Sequence, residues 1–192
     1  MKKKLQIILT GLMVLSYGLS AKSESGIYMS TADFKNNKLT FESGCARGKH
    51  SLSIHLHDFF WNMPYITITE GGKKNVLKKS DVYGFRDCDN EVYRFYKNTE
   101  YRIAEAGNIY VYTQERNIAQ SKGYKVINDY FFSVSASSEI LPLTICNLKN
   151  AYSGNDKFLD LLDQYFGGSE VNEYDNRHKT FKINYVFAKS MK

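Results

Sequence analysis

The feature that most constrains this fold is a change in the spacing of apolar residues along the chain. Up to about residue 134 they fall in short alternating runs separated by turn residues, a pattern that favours β-strands. Beyond Pro142 they recur at helical spacing. Strands followed by helices predict an α+β domain: an antiparallel sheet, a meander of roughly six to seven strands, with C-terminal helices packed on one side or end.

The strand predictions rest on alternation and on the residues that interrupt it. In the first run, Leu52, Ile54 and Leu56 share one face, and the Gly71-Gly72 pair closes the second run. The predicted strands cover 51–59, 65–70, 77–86, 91–97, 101–106, 108–114 and 124–134.

Helix boundaries are predicted from capping residues. Ser30 and Asp33 have the spacing of a capping box before a short helix. Pro142 is suited to the first position of a second helix that Gly154 ends, and Asn155 then caps a third. The Gly167-Gly168 pair terminates that third helix.

The segment 174–189 fits two patterns. Phe181, Ile183 and Tyr185 alternate as in a strand, yet the same segment also has a helical apolar face. Helix is preferred because acidic residues occupy its first turn. In such a helix Asp175 pairs with Lys179 at i+4, and His178 faces inward beside Tyr174.

The N-terminus has the pattern of a signal peptide. Three lysines precede an apolar run over 5–19 that is short for a membrane span, and small residues follow it. We therefore predict a signal peptide at 1–21 and a single domain at 22–192, secreted to the periplasm or outside the cell, with no transmembrane segment after cleavage. The alternative is an uncleaved N-terminal anchor.

The charge of the mature chain argues against nucleic acid as a partner. Removal of the three N-terminal lysines lowers the formal net charge from +6 to +3. Lys73-Lys74 and Lys78-Lys79 form the one basic cluster of the mature chain, and a solvated hairpin is the favoured interpretation of it.

Three cysteines in an oxidising compartment allow at most one intramolecular disulfide, and the sequence does not decide the pairing among Cys45, Cys88 and Cys146. Cys88 lies at the polar tip of a predicted hairpin and is expected to be exposed. Asp87 and Asp89 disfavour its thiolate, so we expect either an inert thiol or half of a disulfide.

The best metal-site candidate is His55-x-His57, because residues i and i+2 of a strand point to the same side. A zinc ion there needs a third ligand, such as His50 or Asp58. Alternation alone also produces this spacing, and a solvated polar stripe is the favoured interpretation.

Two acidic groups have simpler structural explanations than catalysis or metal binding. The segment 87–91 has oxygen ligands for Ca²⁺ but lacks the glycine of an EF-hand loop, so it predicts a hairpin turn. Asp156, Asp160 and Asp163 occupy the polar face of a helix and are expected to be solvated.

Five segments of the mature chain are similar to those of a known family. They are GIY at 26–28 leading to Asp33-Phe34, VYGFRDCDNEVYRF at 82–95, GNIYVYTQE at 107–115, LPLTICNLKNAY at 141–152 and YDNRHKTFKINY at 174–185. They resemble a family of small secreted proteins of Bacteroidetes, over most of the mature chain. The resemblance implies a secreted location and a fold class but no activity.

The sequence contains no nucleophile elbow, phosphate-binding loop, dinucleotide-binding glycine motif or H-E-x-x-H zinc motif. Its 15 tyrosines suit half-buried strands, or else a surface that binds carbohydrate or peptide. We therefore predict a non-catalytic binding or interaction module for a protein or glycan of the cell envelope, with no cofactor. The alternative is a metal-dependent or histidine-using hydrolase built on His55, His57 or His178.

Overall fold

The structure is a computed structural model that describes residues 24–45, 52–56, 63–121, 123–167 and 170–192. In these residues antiparallel strands form a large sheet, a three-stranded sheet and a short hairpin, and most of the helical structure follows in the C-terminal third. The predicted α+β class is confirmed. The predicted signal peptide at 1–21 lies outside the described residues.

The elements follow one another in this order. The strands are β1 (Glu24–Tyr28), β2 (Thr40–Gly44), β3 (Leu52–His55), β4 (Tyr65–Glu70), β5 (Lys73–Lys78), β6 (Gly84–Arg86), β7 (Val92–Tyr96), β8 (Thr99–Ala106), β9 (Tyr110–Gln120), β10 (Gly123–Ser133), β11 (Leu141–Pro142), β12 (Tyr174–Asp175) and β13 (Thr180–Phe181). The helices are α1 (Thr31–Lys35), α2 (Ile145–Ala151), α3 (Asp156–Phe166) and α4 (Lys182–Ser190).

The main sheet has eight strands in the order β11-β10-β9-β8-β7-β6-β1-β2, and β3, β4 and β5 form the smaller sheet. Cross-strand pairing aligns one row of side chains on a single face of the main sheet, and the residues between them point to the opposite face. We call the first face the covered face, because the smaller sheet and the C-terminal helices pack against it. That row is Phe85, Tyr93, Arg102, Thr113 and Tyr130.

Two layers pack on the covered face, one near each end. The smaller sheet shares an apolar core with β1, β6 and β7, and the C-terminal helices share another with β9 and β10. Burial of these two sets of apolar side chains provides the main driving force for folding. The first core includes Ile27, Phe85, Phe95, Ile66 and Ile68, and the second includes Val111, Phe132, Leu148, Phe158, Leu162 and Ile183.

The strand prediction at 65–70 is confirmed residue for residue by β4. The prediction at 77–86 is wrong, because a 3-10 turn at Lys79–Asp81 separates β5 from β6. Lys79 explains this break: its side chain is only 2% exposed, and its amino group donates to the Asn98 carbonyl at 3.0 Å. Lys79 is therefore not part of a solvated hairpin, whereas Lys73 and Lys74 are exposed as predicted.

The helix caps are confirmed in two of three cases. Ser30 accepts the Asp33 amide at 3.1 Å, and Asn155 accepts the Phe158 amide at 3.0 Å. The prediction for Pro142 is wrong. It lies in β11 opposite Phe131 at the edge of the sheet, where a residue without an N–H donor is tolerated.

The second helix therefore begins later than predicted. Thr144 caps it by accepting the Asn147 amide at 3.2 Å, and α2 ends at Ala151 rather than at Gly154. Helix α3 ends at Phe166 with Gly167 as its C-cap, whereas Gly168 lies outside the described residues.

The helix predicted over 174–189 is wrong in its first half. Residues of β12 and β13 form a hairpin there, and α4 begins only at Lys182. The hairpin turns because one Asp175 carboxylate oxygen accepts the amides of Arg177 and His178 at 2.9 and 3.1 Å. Asp175 therefore pairs with His178 rather than with Lys179, and His178 is exposed rather than turned inward.

This hairpin should weaken in acid. Hydrogen bonds from the His178 side chain and backbone hold the pKa of Asp175 below its usual range. A carboxylate with a lowered folded pKa stabilises above its unfolded pKa, and that stabilisation is lost as the pH falls through the folded value. We expect NMR signals of the 174–181 hairpin to shift in that range, and Asp175→Asn to remove the dependence. If the NMR signals of Asp175→Asn kept the same pH dependence, the hairpin would not depend on the ionisation of Asp175, contrary to our prediction.

The cysteines form one disulfide, between Cys45 and Cys88, while Cys146 is an exposed free thiol. The predicted limit of one intramolecular disulfide is confirmed. The sequence predicts that Cys88 is either an inert thiol or half of a disulfide, and the structure shows the disulfide. The predicted exposure of Cys88 is wrong, since it is half-buried where β2 approaches the 87–91 hairpin.

Candidate ligand-binding site

The opposite face of the main sheet, which we call the open face, carries a group of aromatic rings that belongs to neither apolar core. The rings lie there because of strand alternation and register: Tyr110 and Tyr112 are two residues apart on β9, and Tyr112 is opposite Phe131. Tyr101 packs against Phe131 with ring centroids 5.0 Å apart. Five of the rings are half-buried: Phe34, Tyr96, Tyr101, Tyr110 and Phe131.

Arg94 lies among these rings, opposite both Gly84 and Tyr101 in the sheet. It is only 5% exposed. Its guanidinium carbon is 5.7 Å from the ring centroids of Tyr83 and Tyr96 and 5.9 Å from that of Tyr112. Such cation–π contacts partly compensate for the lost hydration of the cation.

The hydrogen bonds of Arg94 all go to neutral groups. Nη1 donates to the Tyr112 hydroxyl at 3.0 Å and to Ser133 Oγ at 3.5 Å, and Nη2 donates to the Ser138 carbonyl at 2.6 Å. Among the described residues no carboxylate forms an ion pair with Arg94, and its Nε makes no hydrogen bond. Buried charges in proteins are normally paired, so this unpaired guanidinium is an unusual feature.

The Tyr83 hydroxyl is a second polar group without a partner. Tyr83 is 7% exposed, its ring stacks on Phe34 with centroids 4.8 Å apart, and its oxygen has no hydrogen-bond partner among the described residues. Burial raises the pKa of this hydroxyl well above its ordinary value. It therefore stays protonated and can act as a hydrogen-bond donor.

Arg94 and Tyr83 line a common cavity of about 340 Å³. Hydroxyl-bearing residues surround them, namely Ser30, Thr31, Ser80 and Ser137. Asp81 also lines the cavity, but its side chain accepts the Ser80 hydroxyl at 2.8 Å and faces solvent. The volume lies in the range of small-molecule sites.

A second cavity, of about 250 Å³, lies on the covered face, and its arginine differs from Arg94 in having a carboxylate partner. It is lined by Arg102, whose Nη1 donates to Glu91 at 2.5 Å and whose Nε donates to Thr113 at 3.1 Å. Arg102 is thus neutralised by a carboxylate within the protein. We therefore favour the open face as the candidate site.

Of the residues of the predicted metal site, only His55 lies within the described residues. His55 is exposed, and its Nε2 lies 3.0 Å from Ser53 Oγ. His57 and the possible third ligands His50 and Asp58 lie outside the described residues. Within the part of the chain that is described, no three histidine, cysteine or acidic side chains gather as a metal-ion site.

The other predicted candidates have structural roles. Asp87 accepts the amides of Asp89 and Glu91 at 3.0 and 2.9 Å, and Asn90 has φ 65°, which confirms the hairpin turn. The His178 ring stacks on Tyr185 with centroids 4.2 Å apart. The three helix aspartates are exposed as predicted, and Lys149 binds Asp163.

Neither Arg94 nor Tyr83 belongs to the candidate residues that the sequence patterns predict. A signal was nevertheless present, because Arg94 is the charged residue in the aromatic run 93–96 of a predicted strand. Alternation assigns Arg94 and Tyr96 to one face, but it does not show which face packs against the two apolar cores.

Comparison with known proteins adds no assignment, because no family model, curated protein or solved structure matches this chain. Among the described residues, no helix is both long and apolar enough to cross a membrane.

Proposed function

We propose that this protein is a secreted, non-catalytic binding module of the cell envelope or the extracellular space, and that its open face binds a glycan. The observation that carries the proposal is a buried arginine that has no counter-ion among the described residues and lies against the rings of Tyr83, Tyr96 and Tyr112. Half-buried Tyr101 and Phe131 lie on the same face of the sheet. Large aromatic side chains with few rotatable bonds are efficient contact residues at binding surfaces.

The chemistry of the site favours a glycan over a protein partner. Flat ring faces such as those of Tyr101 and Phe131 can pack against the C–H faces of sugars, and the hydroxyls around the cavity suit sugar hydroxyls. A pocket of this volume with a few converging polar groups is typical of small-molecule sites rather than of large flat protein interfaces.

The secreted location rests on the N-terminal sequence and on the disulfide. A basic segment followed by a short apolar run is typical of a signal peptide. Structural disulfides such as Cys45–Cys88 persist in oxidising compartments and are rare in the cytosol. The resemblance to secreted proteins of Bacteroidetes supports the same location.

Binding to a panel of neutral and acidic envelope polysaccharides tests the proposal. We expect one class to bind, and we expect Tyr101→Ala or Phe131→Ala to weaken that binding about tenfold, as for an aromatic contact residue. Calorimetric titration of each variant measures the change, and circular dichroism checks that it is folded.

Tyr124→Ala is the matched control, because Tyr124 is 79% exposed and lies on the distal part of the β9–β10 hairpin, away from the open face. The affinity of the Tyr124→Ala variant for the bound polysaccharide should equal that of the unmodified protein. The glycan proposal fails if no polysaccharide binds, or if Tyr124→Ala weakens binding as much as Tyr101→Ala. Specific capture of one envelope protein through the open face would favour a protein partner instead.

A further inference from the structure

The starting point is the electrostatic state of Arg94. A guanidinium stays charged at any physiological pH, and removing it from water costs several kcal/mol unless an anion compensates. Three ring faces and neutral acceptors surround it, yet no carboxylate of the described residues pairs with it. The protein therefore holds a desolvated positive charge at the wall of a cavity.

We propose that Arg94 and the Tyr83 hydroxyl together bind the carboxylate of an acidic sugar, such as a uronic acid. The assignment of a sugar ring to the ligand rests on the proposed glycan function. The assignment of a carboxylate rests on the geometry of the pocket alone. It identifies Arg94 and Tyr83 as ligand-binding residues.

The donors available in the cavity match a carboxylate. Among the described residues Arg94 makes one hydrogen bond through Nη2 and none through Nε, and the buried Tyr83 hydroxyl makes none. A carboxylate accepts several hydrogen bonds through its two oxygens, and charge-assisted bonds of this kind are among the strongest in proteins. The exposed pair Arg116–Asp129 shows such bidentate binding elsewhere in this chain, at 2.7 and 3.1 Å.

The remainder of the site suits the sugar ring. Thr31 and Ser137 also line the cavity, and their hydroxyls can exchange hydrogen bonds with sugar hydroxyls. Asp81 is the acidic residue among those that line the cavity, and its negative charge repels a ligand carboxylate. It lies outside ion-pair distance of Arg94, so it does not neutralise the guanidinium.

The test compares D-glucuronate with its methyl ester, which has the same ring but no charge, and with acetate, which has the charge but no ring. We expect glucuronate to bind the full chain at least tenfold more tightly than either probe, because a charge-assisted bidentate contact and the ring contacts are both needed. Titration followed by NMR or calorimetry measures the three affinities.

Tyr83→Phe is the informative variant, because it removes a single buried oxygen that has no partner and leaves the ring stacked on Phe34. We expect it to keep the fold and to lower the affinity for glucuronate about tenfold while leaving that for the ester unchanged. Tyr93→Phe, a half-buried tyrosine of the covered face, is the matched control and should change neither affinity.

The outcomes separate the two proposals. Equal affinity for glucuronate and its ester, or no binding of glucuronate, overturns the carboxylate assignment, while the polysaccharide panel decides independently whether the face binds glycans. Acetate binding as tightly as glucuronate overturns the assignment to an acidic sugar. An unchanged glucuronate affinity in Tyr83→Phe overturns the role of that hydroxyl.

Discussion

Replacing Cys45 and Cys88 together by serine should lower the free energy of unfolding by about 4 kcal/mol. The disulfide joins residues 43 positions apart, and breaking it frees a long loop in the unfolded chain. The effect is therefore mainly entropic and needs no loss of native contacts. Urea denaturation of the oxidised protein and of the double variant measures the difference.

The third cysteine provides the control. Cys146 is exposed and unbridged, so Cys146→Ser should change the free energy of unfolding by less than about 0.5 kcal/mol. Adding a reductant should destabilise the unmodified protein as much as the double substitution does. A double variant as stable as the oxidised protein would show that the loop is already restricted in the unfolded state, contrary to our prediction.

Gly84→Ala should destabilise the protein by about 3 kcal/mol or more. A Cβ atom at Gly84 would lie 1.9 Å from the Tyr93 carbonyl oxygen, which belongs to the backbone of the neighbouring strand β7. Unlike a side chain, this backbone cannot rotate away, so the two strands must separate. Because Gly84 is paired with Arg94, the substitution should also displace the proposed ligand-binding arginine.

Gly44→Ala is the matched control for this prediction. Gly44 also lies in a strand of the main sheet, but nothing is within 4 Å of a Cβ atom placed there. Thermal or urea unfolding should show a change within about 0.5 kcal/mol for this variant. Similar losses for Gly84→Ala and Gly44→Ala would mean that glycine flexibility, rather than the contact with Tyr93, causes the effect.

Some of these features could be predicted because they depend on neighbours in the sequence. The caps at Ser30 and Asn155 are bonds over three residues, and the turn at 87–91 closes on the carboxylate of Asp87. Interactions over this range form with little loss of chain entropy, and local residue types are sufficient to specify them.

Other features depended on distant residues, and there the local patterns were misleading. Lys79 is buried because the Asn98 carbonyl accepts a hydrogen bond from its amino group. The helical pattern at 174–189 extends over residues that instead form a hairpin. Helix α4 is held where it is by buried Asn184, which accepts the Ile109 amide at 2.7 Å and donates to the Ile109 carbonyl at 2.9 Å. Long-range bonds of this kind override a weak local preference.

The sequence by itself determined the α+β class, the limit of one disulfide and the abundance of tyrosine on alternating strands, because periodicity and composition are local properties. Only the tertiary structure decided which cysteines pair and which face of the main sheet packs against the smaller sheet and the C-terminal helices. It also decided that Arg94 is buried on the opposite face among rings, beside an unpartnered Tyr83 hydroxyl. Burial and pairing depend on residues that are far apart in sequence and meet only when the layers pack.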